Sequence, residues 1–293
     1  MYLKLIDKSP REIIKYYEKP FYVYLSLSNI CNANCVFCEV RTNKEKKCNI
    51  NVFSLIDELA SLGTQYIHFT GGGEPFVNDD IFEYLDYWTQ KKIKIILISN
   101  GLNIDETKIK KMSNYNIVAI FFSIDSHLPE VHDTLRRTQG LWNKVTSNIN
   151  LIKQYMPEVK IVLNHVLNKK NIDDFEKFIM MKKTFDFDYI NPIVIKDYDA
   201  LFFTEDQIEN YNNKLDYYNN LANSLGLEFL SDNIDFFNNK VSSLGDRYNN
   251  IDLKCLYPSF CSFVDAPTGF VYPCDCSIHS CLLYTSPSPR DRG

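Results

Sequence analysis

Three cysteines near the N-terminus are spaced so that one metal cluster could bind all of them. Cys31, Cys35 and Cys38 form a C-x3-C-x2-C run within eight residues. Because one residue spans at most about 3.5 Å, three thiolates this close in sequence can surround a single iron–sulfur cube. A 4Fe-4S cube needs four ligands, so three cysteines leave one iron open, as catalytic metal sites commonly do. The spacing therefore predicts a catalytic iron–sulfur site.

The same cysteines have two other interpretations, a structural zinc site or buried thiols that bind no metal. Zinc would need a fourth ligand, which Cys48 could supply across a lysine-rich loop. Cys48 by itself is more typical of a free thiol. On spacing alone, these alternatives stay open.

Short polar motifs follow the next predicted strands. Since the carboxyl ends of parallel strands meet on one face of an α/β barrel, we expect these motifs to converge on the cysteine loop. Glycines let a ligand approach the backbone closely, a carboxylate can accept from an ammonium group, and small polar side chains can bind ribose and adenine. The residues are Gly72, Gly73, Glu74, Ser99, Asn100, Ser123, Asp125 and Asn164.

These motifs together resemble those of the radical S-adenosylmethionine (SAM) superfamily. CNANCVFC, with Phe37 before the last cysteine, is similar to the family signature, and TGGGEP is similar to its GGE motif. SNG and SID resemble later family motifs, in the family's order over residues 21–192. The resemblance implies that SAM chelates the open iron and that Glu74 contacts the SAM amino group. It also implies that one electron cleaves SAM to a 5′-deoxyadenosyl radical, which abstracts hydrogen from a substrate.

A run of charged residues, His132-Asp133-x-x-Arg136, follows the fourth predicted strand. In relatives an HD-x-x-R run near this position often sets the arginine against the SAM carboxylate, so the resemblance makes Arg136 a SAM contact. A helix start with Asp133 as its cap would explain the same residues. Relatives often have glycine where this chain has Arg137.

A second group of cysteines lies near the C-terminal end. The spacing of Cys255, Gly269 and Cys274, with the segment APTGFVYPC, resembles the opening of the SPASM or twitch extension of radical SAM enzymes. There the glycine lies in a hairpin. The resemblance implies that Cys255, Cys261 and Cys274 bind an auxiliary 4Fe-4S cluster, with Cys276 as a further candidate. A zinc ribbon is the alternative.

Alternating strand and helix patterns would position these residues. Six βα repeats in series predict an α/β fold with a parallel sheet and outer helices. Six strands are too few for a closed eight-stranded barrel, so we expect a partial (β/α)6 TIM-like barrel with a small C-terminal cysteine-rich module. Strands are predicted at 22–27, 65–70, 94–99, 116–124, 159–166 and 189–194, and helices at 52–62, 79–91, 104–112, 140–155, 172–183 and 204–225.

The patterns divide the chain into four segments. We expect an N-terminal extension at 1–20, a radical SAM-like core at 21–230, and a truncated SPASM or twitch-like iron–sulfur module at 231–280. Residues 281–293 have no periodicity and resemble a translated sequencing adaptor. We therefore interpret them as a non-native tail, with the natural chain cut near Ser280.

Composition excludes several classes of partner. The formal net charge is -5 and the lysines are scattered among acids, which disfavours a nucleic-acid partner. The N-terminus lacks the apolar region of a signal peptide, and the densest apolar run, 117–122, is far too short to span a membrane. We expect a cytoplasmic protein whose nine cysteines serve metal binding or catalysis rather than disulfides.

The sequence thus predicts a radical SAM oxidoreductase that acts on a peptide or a small molecule. Its partners would be that substrate and an electron donor such as flavodoxin or ferredoxin. Tyr24, Asn164 and His165 could face the cavity, although alternate core packing explains strand residues as well. The rival hypothesis is a non-catalytic zinc- or iron–sulfur-binding scaffold or electron carrier, which would need neither Glu74 nor the SNG and SID loops.

Overall fold

The structure is a computed structural model that describes most of the predicted core and a short part of the terminal module. Several predictions lie outside the described residues: most of the N-terminal extension, Cys255, Gly269, Cys274, Cys276 and the tail at 281–293. The described residues are 19–38, 48, 50–70, 72–195, 199–230, 261–267 and 270–272.

The described strands form one nine-stranded sheet in the order β7-β6-β5-β4-β3-β2-β1-β8-β9. Each neighbouring pair from β7 to β8 is parallel, and β8 and β9 are antiparallel. The two edge strands do not pair with each other, so the sheet stays open, which confirms the predicted partial barrel. The strands are β1 (Tyr22–Ser26), β2 (Tyr66–Phe69), β3 (Lys94–Ser99), β4 (Ile117–Ser123), β5 (Lys160–Leu167), β6 (Tyr189–Val194), β7 (Glu228–Phe229), β8 (Cys261–Asp265) and β9 (Phe270–Tyr272).

Helices connect the parallel strands and cover the outer face of the sheet. They form where apolar residues recur at helical spacing and where a cap ends the helix, as at Gly63, which has a φ of 90° after α1. None of the described helices is long and apolar enough to cross a membrane. The helices are α1 (Val52–Leu62), α2 (Ile81–Gln90), α3 (Glu106–Met112), α4 (Pro129–Arg136), α5 (Leu141–Tyr155), α6 (Phe175–Met180), α7 (Glu205–Asn213) and α8 (Leu215–Ser224).

Two predicted helices differ from the structure. The sequence predicts one helix over 204–225, but the structure divides this segment into α7 and α8 at Lys214, where φ is -103° and ψ is 3°. Asn212 and Asn213 precede this break, and asparagine is a weak helix former. The segment 172–183 is α-helical only in its centre, with a 3-10 turn on each side.

Alternation along the strands creates an outer and an inner layer of side chains. The inner face is aromatic and includes Tyr22, Tyr24, Tyr66 and Phe121, whereas the larger cluster packs between the sheet and the helices. Tyr24 therefore lies on the inner face, which is one of the two placements that the sequence leaves open. His165 does not, because its ring lies 3.9 Å from that of Phe178 in α6.

The terminal module contributes directly to the core sheet. β8 pairs in parallel with β1, with Cys261 opposite Tyr22 and Asp265 opposite Ser26. β8 then pairs antiparallel with β9, with Val264 opposite Val271, in agreement with the hairpin that APTGFVYPC predicts. The sequence patterns predict neither β7 nor β8. The two residues of β7 are too few to show a period, and β8 lies where the sequence breaks into polar, cysteine-bearing turns.

Candidate functional site

The loop after β1 contains the three predicted cluster ligands. Cys31 is exposed, Cys38 is half-buried and Cys35 is buried, and all three are free thiols. Although Cys31 as a residue is exposed, partial desolvation of its sulfur raises the pKa of the thiol, and negative charge on Glu74, Cys35 and Cys38 raises it further.

The glycine-rich turn after β2 packs against this cysteine loop. The Glu74 N–H donates to the Ile30 carbonyl over 2.9 Å. A Cβ atom at Gly73 would lie 2.0 Å from that carbonyl oxygen, and one at Gly72 would lie 2.5 Å from the Ser28 oxygen. Side chains at these two positions would therefore separate the turn from the loop.

The Glu74 side chain joins the turn after β2 to the end of β3. It is 3% exposed. Its carboxylate accepts from the Ser99 hydroxyl over 2.7 Å, from the Asn100 N–H over 2.7 Å and from the Phe76 N–H over 3.3 Å. Burial raises the pKa of Glu74, although these hydrogen bonds oppose the shift. In the described structure, the Glu74 carboxylate therefore holds the turn after β2 against the end of β3.

Asn100 connects the end of β3 to the cysteine loop. Its amide nitrogen donates to the Asn32 side-chain oxygen over 2.7 Å and lies 3.8 Å from the Cys31 sulfur. Its amide oxygen accepts from the Leu102 N–H, which fixes the orientation of the amide. Predicted residues that follow three different strands therefore meet at one place.

A buried ion pair joins the end of β4 to the other side of the cysteine loop. Arg136 Nε donates to Asp125 Oδ2 over 2.6 Å, and Nη2 donates to Oδ1 over 3.0 Å. The remaining nitrogen, Nη1, lies 3.7 Å from the Cys35 sulfur, and the guanidinium lies 5.2 Å from the centre of the Phe37 ring. Burial alone would raise the pKa of Asp125, but the charge and hydrogen bonds of Arg136, together with smaller contributions from His132 and His165, outweigh it and hold this pKa below its usual range.

Besides Arg136, three further groups hold Asp125 in place, and of these three the sequence motifs include only His132. Asp125 Oδ1 accepts from the Val166 N–H over 3.0 Å, and the Asn171 amide donates to the Asp125 carbonyl over 2.7 Å. The Asp125 N–H donates to His132 Nδ1 over 3.1 Å, and burial lowers the pKa of His132 to about 4. Because Val166 contributes only its backbone, no side-chain pattern could have predicted its role.

Asp133 is a helix cap, but of the helix that follows rather than of the helix that contains it. It lies inside α4, and its carboxylate accepts from the Gly140 N–H over 2.6 Å and the Trp142 N–H over 2.9 Å. Arg137 ends α4 with a φ of 50°, in the left-handed region that favours glycine.

Asn164 and Ser123 complete the set of predicted polar residues at this end of the sheet. Ser123 ends β4 and is opposite Asn164 of β5. The Asn164 oxygen accepts from the Asn191 amide over 2.7 Å. Both lie near the carboxyl ends of their strands, on the rim that also holds Glu74 and Asp125.

Comparison with known proteins decides the family. The model of the radical SAM superfamily matches residues 25–181, which is more than half of the 293 residues. The chain belongs to the radical SAM superfamily. The match includes the cysteine loop and the motifs after β2, β3 and β4.

Two curated radical SAM relatives match about half of this chain. The AdoMet-dependent heme synthase of Methanosarcina barkeri is 26% identical over 164 residues, which is 52% of this chain and 44% of the relative. The mycofactocin maturase MftC of Mycobacterium tuberculosis is 26% identical over 178 residues, which is 60% of this chain and 44% of the relative. The chain thus spans less than half the length of these relatives.

Solved structures share the fold over most of the described sheet. SuiB of Streptococcus suis bound to S-adenosylmethionine superposes with a TM-score of 0.69 at 13% identity, covering 92% of this chain and 64% of SuiB. SuiB has also been solved bound to precursor peptide SuiA. This likeness shows a common fold.

The residues around the cysteine loop fit an iron–sulfur cluster. In the part of the chain that the structure describes, no three His, Cys, Asp or Glu side chains are grouped to hold one ion. Asn100 and Arg136 direct N–H groups at cysteine sulfurs, as is common around such clusters. The buried Asn32 amide nitrogen has no partner among the described residues, so it could donate to a cluster sulfide.

Proposed function

We propose that this radical SAM protein is an enzyme that reductively cleaves SAM at a 4Fe-4S cluster held by Cys31, Cys35 and Cys38. The main support is the Asn100 side chain, which contacts Asn32 and the Cys31 sulfur while its backbone N–H donates to Glu74. This single residue connects the cysteine loop to the motifs after β2 and β3. Such a connection would keep a cluster ligand and a SAM-binding turn at a fixed distance from each other.

We propose that the residues around the cysteine loop bind SAM. The glycine turn packs against the backbone of the cysteine loop too closely to admit side chains at Gly72 and Gly73, so the two loops are held together at the proposed site. When bound, the cluster would supply one electron that splits SAM into methionine and a 5′-deoxyadenosyl radical, which abstracts hydrogen from a substrate. The proposed SAM contacts are Gly72, Gly73, Glu74, Ser99, Asn100, Ser123, Asp125 and Arg136.

Each anchoring contact has a role in this proposal. The hydrogen bonds from Ser99 and Asn100 to Glu74 hold two SAM-binding loops together before the ligand arrives, which lowers the entropic cost of binding. The Asp125–Arg136 pair holds the guanidinium beside Cys35. The aromatic inner face around Tyr24 would exclude water from the radical.

We infer that the substrate is a peptide and that the reaction is an oxidation. The support is the shared fold with SuiB, a protein solved in complex with a precursor peptide. Cleavage of SAM also needs a low-potential electron donor, for which a flavodoxin or a ferredoxin is suited. A small-molecule substrate is the alternative, since one of the relatives is a heme synthase.

We propose that the terminal module holds an auxiliary 4Fe-4S cluster on Cys255, Cys261 and Cys274. Cys261 begins β8, which pairs with β1, so this ligand is tied to the strand that leads into the first cysteine loop. Cys255 and Cys274 lie outside the described residues. If Cys274 is a ligand of the auxiliary cluster, Cys274→Ala should reduce the iron content of the protein while part of the SAM cleavage remains.

Anaerobic reconstitution tests the main proposal. The reconstituted protein should contain about four irons per site and, after dithionite reduction, should release 5′-deoxyadenosine from SAM. Cys35→Ala should abolish this release. Cys48→Ala is the matched control, because Cys48 is a half-buried thiol outside the motif whose sulfur donates to the Ile50 carbonyl.

The same measurements separate the enzyme from a non-catalytic metal protein. A zinc scaffold would be colourless and would release no 5′-deoxyadenosine from SAM. An electron carrier would hold iron and accept an electron, but it would release no 5′-deoxyadenosine. Retention of cleavage in Cys35→Ala, with normal folding shown by circular dichroism, would remove Cys35 from the ligand set.

A further inference from the structure

The third nitrogen of Arg136 has a partner that the SAM-binding role does not explain. Nε and Nη2 are both occupied by Asp125, and Nη1 lies 3.7 Å from the Cys35 sulfur. An N–H to sulfur contact of this length lies within the range of a weak, charge-assisted hydrogen bond. The donor is a buried cation, and the acceptor is a proposed cluster ligand.

Arg136 is held rigidly enough for this contact to be specific. Asp125 accepts two hydrogen bonds from the guanidinium. Because the guanidinium is planar, these two bonds fix the direction of its third nitrogen. The cysteine loop is attached to the same helix end, because the Val36 N–H donates to the Leu135 carbonyl over 2.9 Å. The guanidinium also lies 5.2 Å from the Phe37 ring, beside the third cysteine.

We propose that Arg136 is a positioning residue that donates its Nη1–H to the Cys35 sulfur and thereby makes the cluster easier to reduce. The proposal rests on the proposed function, since it needs Cys35 to be a cluster ligand. It concerns the resting cluster, so it holds whether or not Arg136 also contacts SAM.

The sign of the effect follows from charge. One electron from a low-potential donor, such as a reduced flavodoxin or ferredoxin, takes the cluster core from the 2+ to the 1+ state. The added negative charge spreads over the irons and sulfurs, so an N–H donor and a positive charge stabilise the reduced form more than the oxidised form. Hydrogen bonds to cluster sulfurs and local net charge are among the factors that set iron–sulfur potentials. Burial strengthens both effects, because Arg136 and Cys35 are each less than 10% exposed.

The neighbouring arginine provides a matched control. Arg137 carries the same charge one residue later, but it is exposed and its side chain is solvated. Arg136→Gln and Arg137→Gln therefore remove the same formal charge from the protein. Only the first removes the buried donor to Cys35.

The midpoint potential of the cluster at Cys31, Cys35 and Cys38 tests the proposal. It is followed by electron paramagnetic resonance in the absence of SAM, with every protein carrying Cys274→Ala to remove the proposed auxiliary cluster. Arg136→Gln should make the reduction equilibrium constant at least tenfold less favourable, which is a shift of about 59 mV to more negative potential for one electron. Arg137→Gln should leave the potential at the parent value. Iron and sulfide counts should match in all three proteins. Equal potentials in the two variants, with full clusters, would overturn the proposal.

Arg136→Lys provides a second test in case the glutamine variant loses its cluster. A lysine keeps the charge, but a single ammonium group cannot pair with both Asp125 oxygens and also donate to Cys35. Its potential should therefore lie below that of the parent. A parent potential in Arg136→Lys would overturn the proposed donor. A parent protein that binds no cluster would instead overturn the proposed function itself, so the two failures are distinguishable.

Discussion

Glu74→Gln should destabilise the protein even without any ligand, because an amide cannot accept all three hydrogen bonds of the buried carboxylate. Oε1 accepts from the Ser99 hydroxyl and the Phe76 N–H, and Oε2 accepts from the Asn100 N–H. Glutamine replaces one of these oxygens with an NH2 group. If its oxygen stays at Asn100, the Ser99 hydroxyl can rotate to accept, but the Phe76 N–H loses its partner. In the other orientation the Asn100 N–H faces the NH2 group.

The size of the effect follows from these two orientations. A buried N–H without a partner costs about 1–3 kcal/mol. Part of this cost is offset, because burying the Glu74 charge is unfavourable, as its raised pKa indicates. Glutamine carries no charge and avoids that cost. We expect a net loss of about 1–2 kcal/mol, which corresponds to a melting temperature lower by about 2–8 °C for a domain of this size.

The pH dependence has a defined direction. Because the folded-state pKa of Glu74 is raised, its contribution to stability is present at low pH and is lost as pH rises through that pKa. Glutamine has no such dependence. The difference in stability between parent and variant should therefore be larger in acid than at neutral pH.

Differential scanning fluorimetry of the metal-free protein measures this prediction. Glu58→Gln is the control, since Glu58 is an exposed carboxylate on α1. It should melt like the parent. If Glu74→Gln also melted like the parent, the three hydrogen bonds would contribute nothing measurable and the reasoning would be refuted. In the reconstituted protein the same variant should bind SAM more weakly while it keeps the cluster.

Three further predictions concern the elements that support the cysteine loop. Arg137→Gly should raise the free energy of unfolding, measured with urea, by about 1 kcal/mol, because a residue with a side chain is strained at a φ of 50°. Arg137→Ala keeps that strain and should give no such gain. Asp133→Ala should lower it by about 1–2 kcal/mol through loss of the cap to Gly140 and Trp142, and recovery of part of the loss in Asp133→Asn would support this cause. Burial lowers the pKa of His132 to about 4, so the unfolded state takes up a proton first and stability should fall as pH drops from about 6.5 to 4. His132→Gln should flatten that slope, and an identical slope in calorimetry would contradict the linkage.

The local pattern of the sequence was enough to predict the sheet and the place of the site. Period-two and helical spacing identified six of the nine described strands, and in a parallel sheet the residues that follow successive strands must meet on one face. The contacts between Asn100 and Cys31 and between Glu74 and Ser99 confirm that convergence. Asn212 and Asn213 were visible in the sequence, but they are weak signals, and the break at Lys214 was missed.

The orientation of side chains and the choice of partners depended on tertiary structure. Arg136 and Cys35 are 101 residues apart, and no local period links them. The direction of His165, toward α6 rather than the inner face, depends on which residue of β5 meets the helix layer. The pairing of β8 with β1 likewise joins segments far apart in the chain. Sequence determines which residues share a face, because that follows from backbone geometry, whereas hydrogen-bond partners are selected only when distant elements pack together.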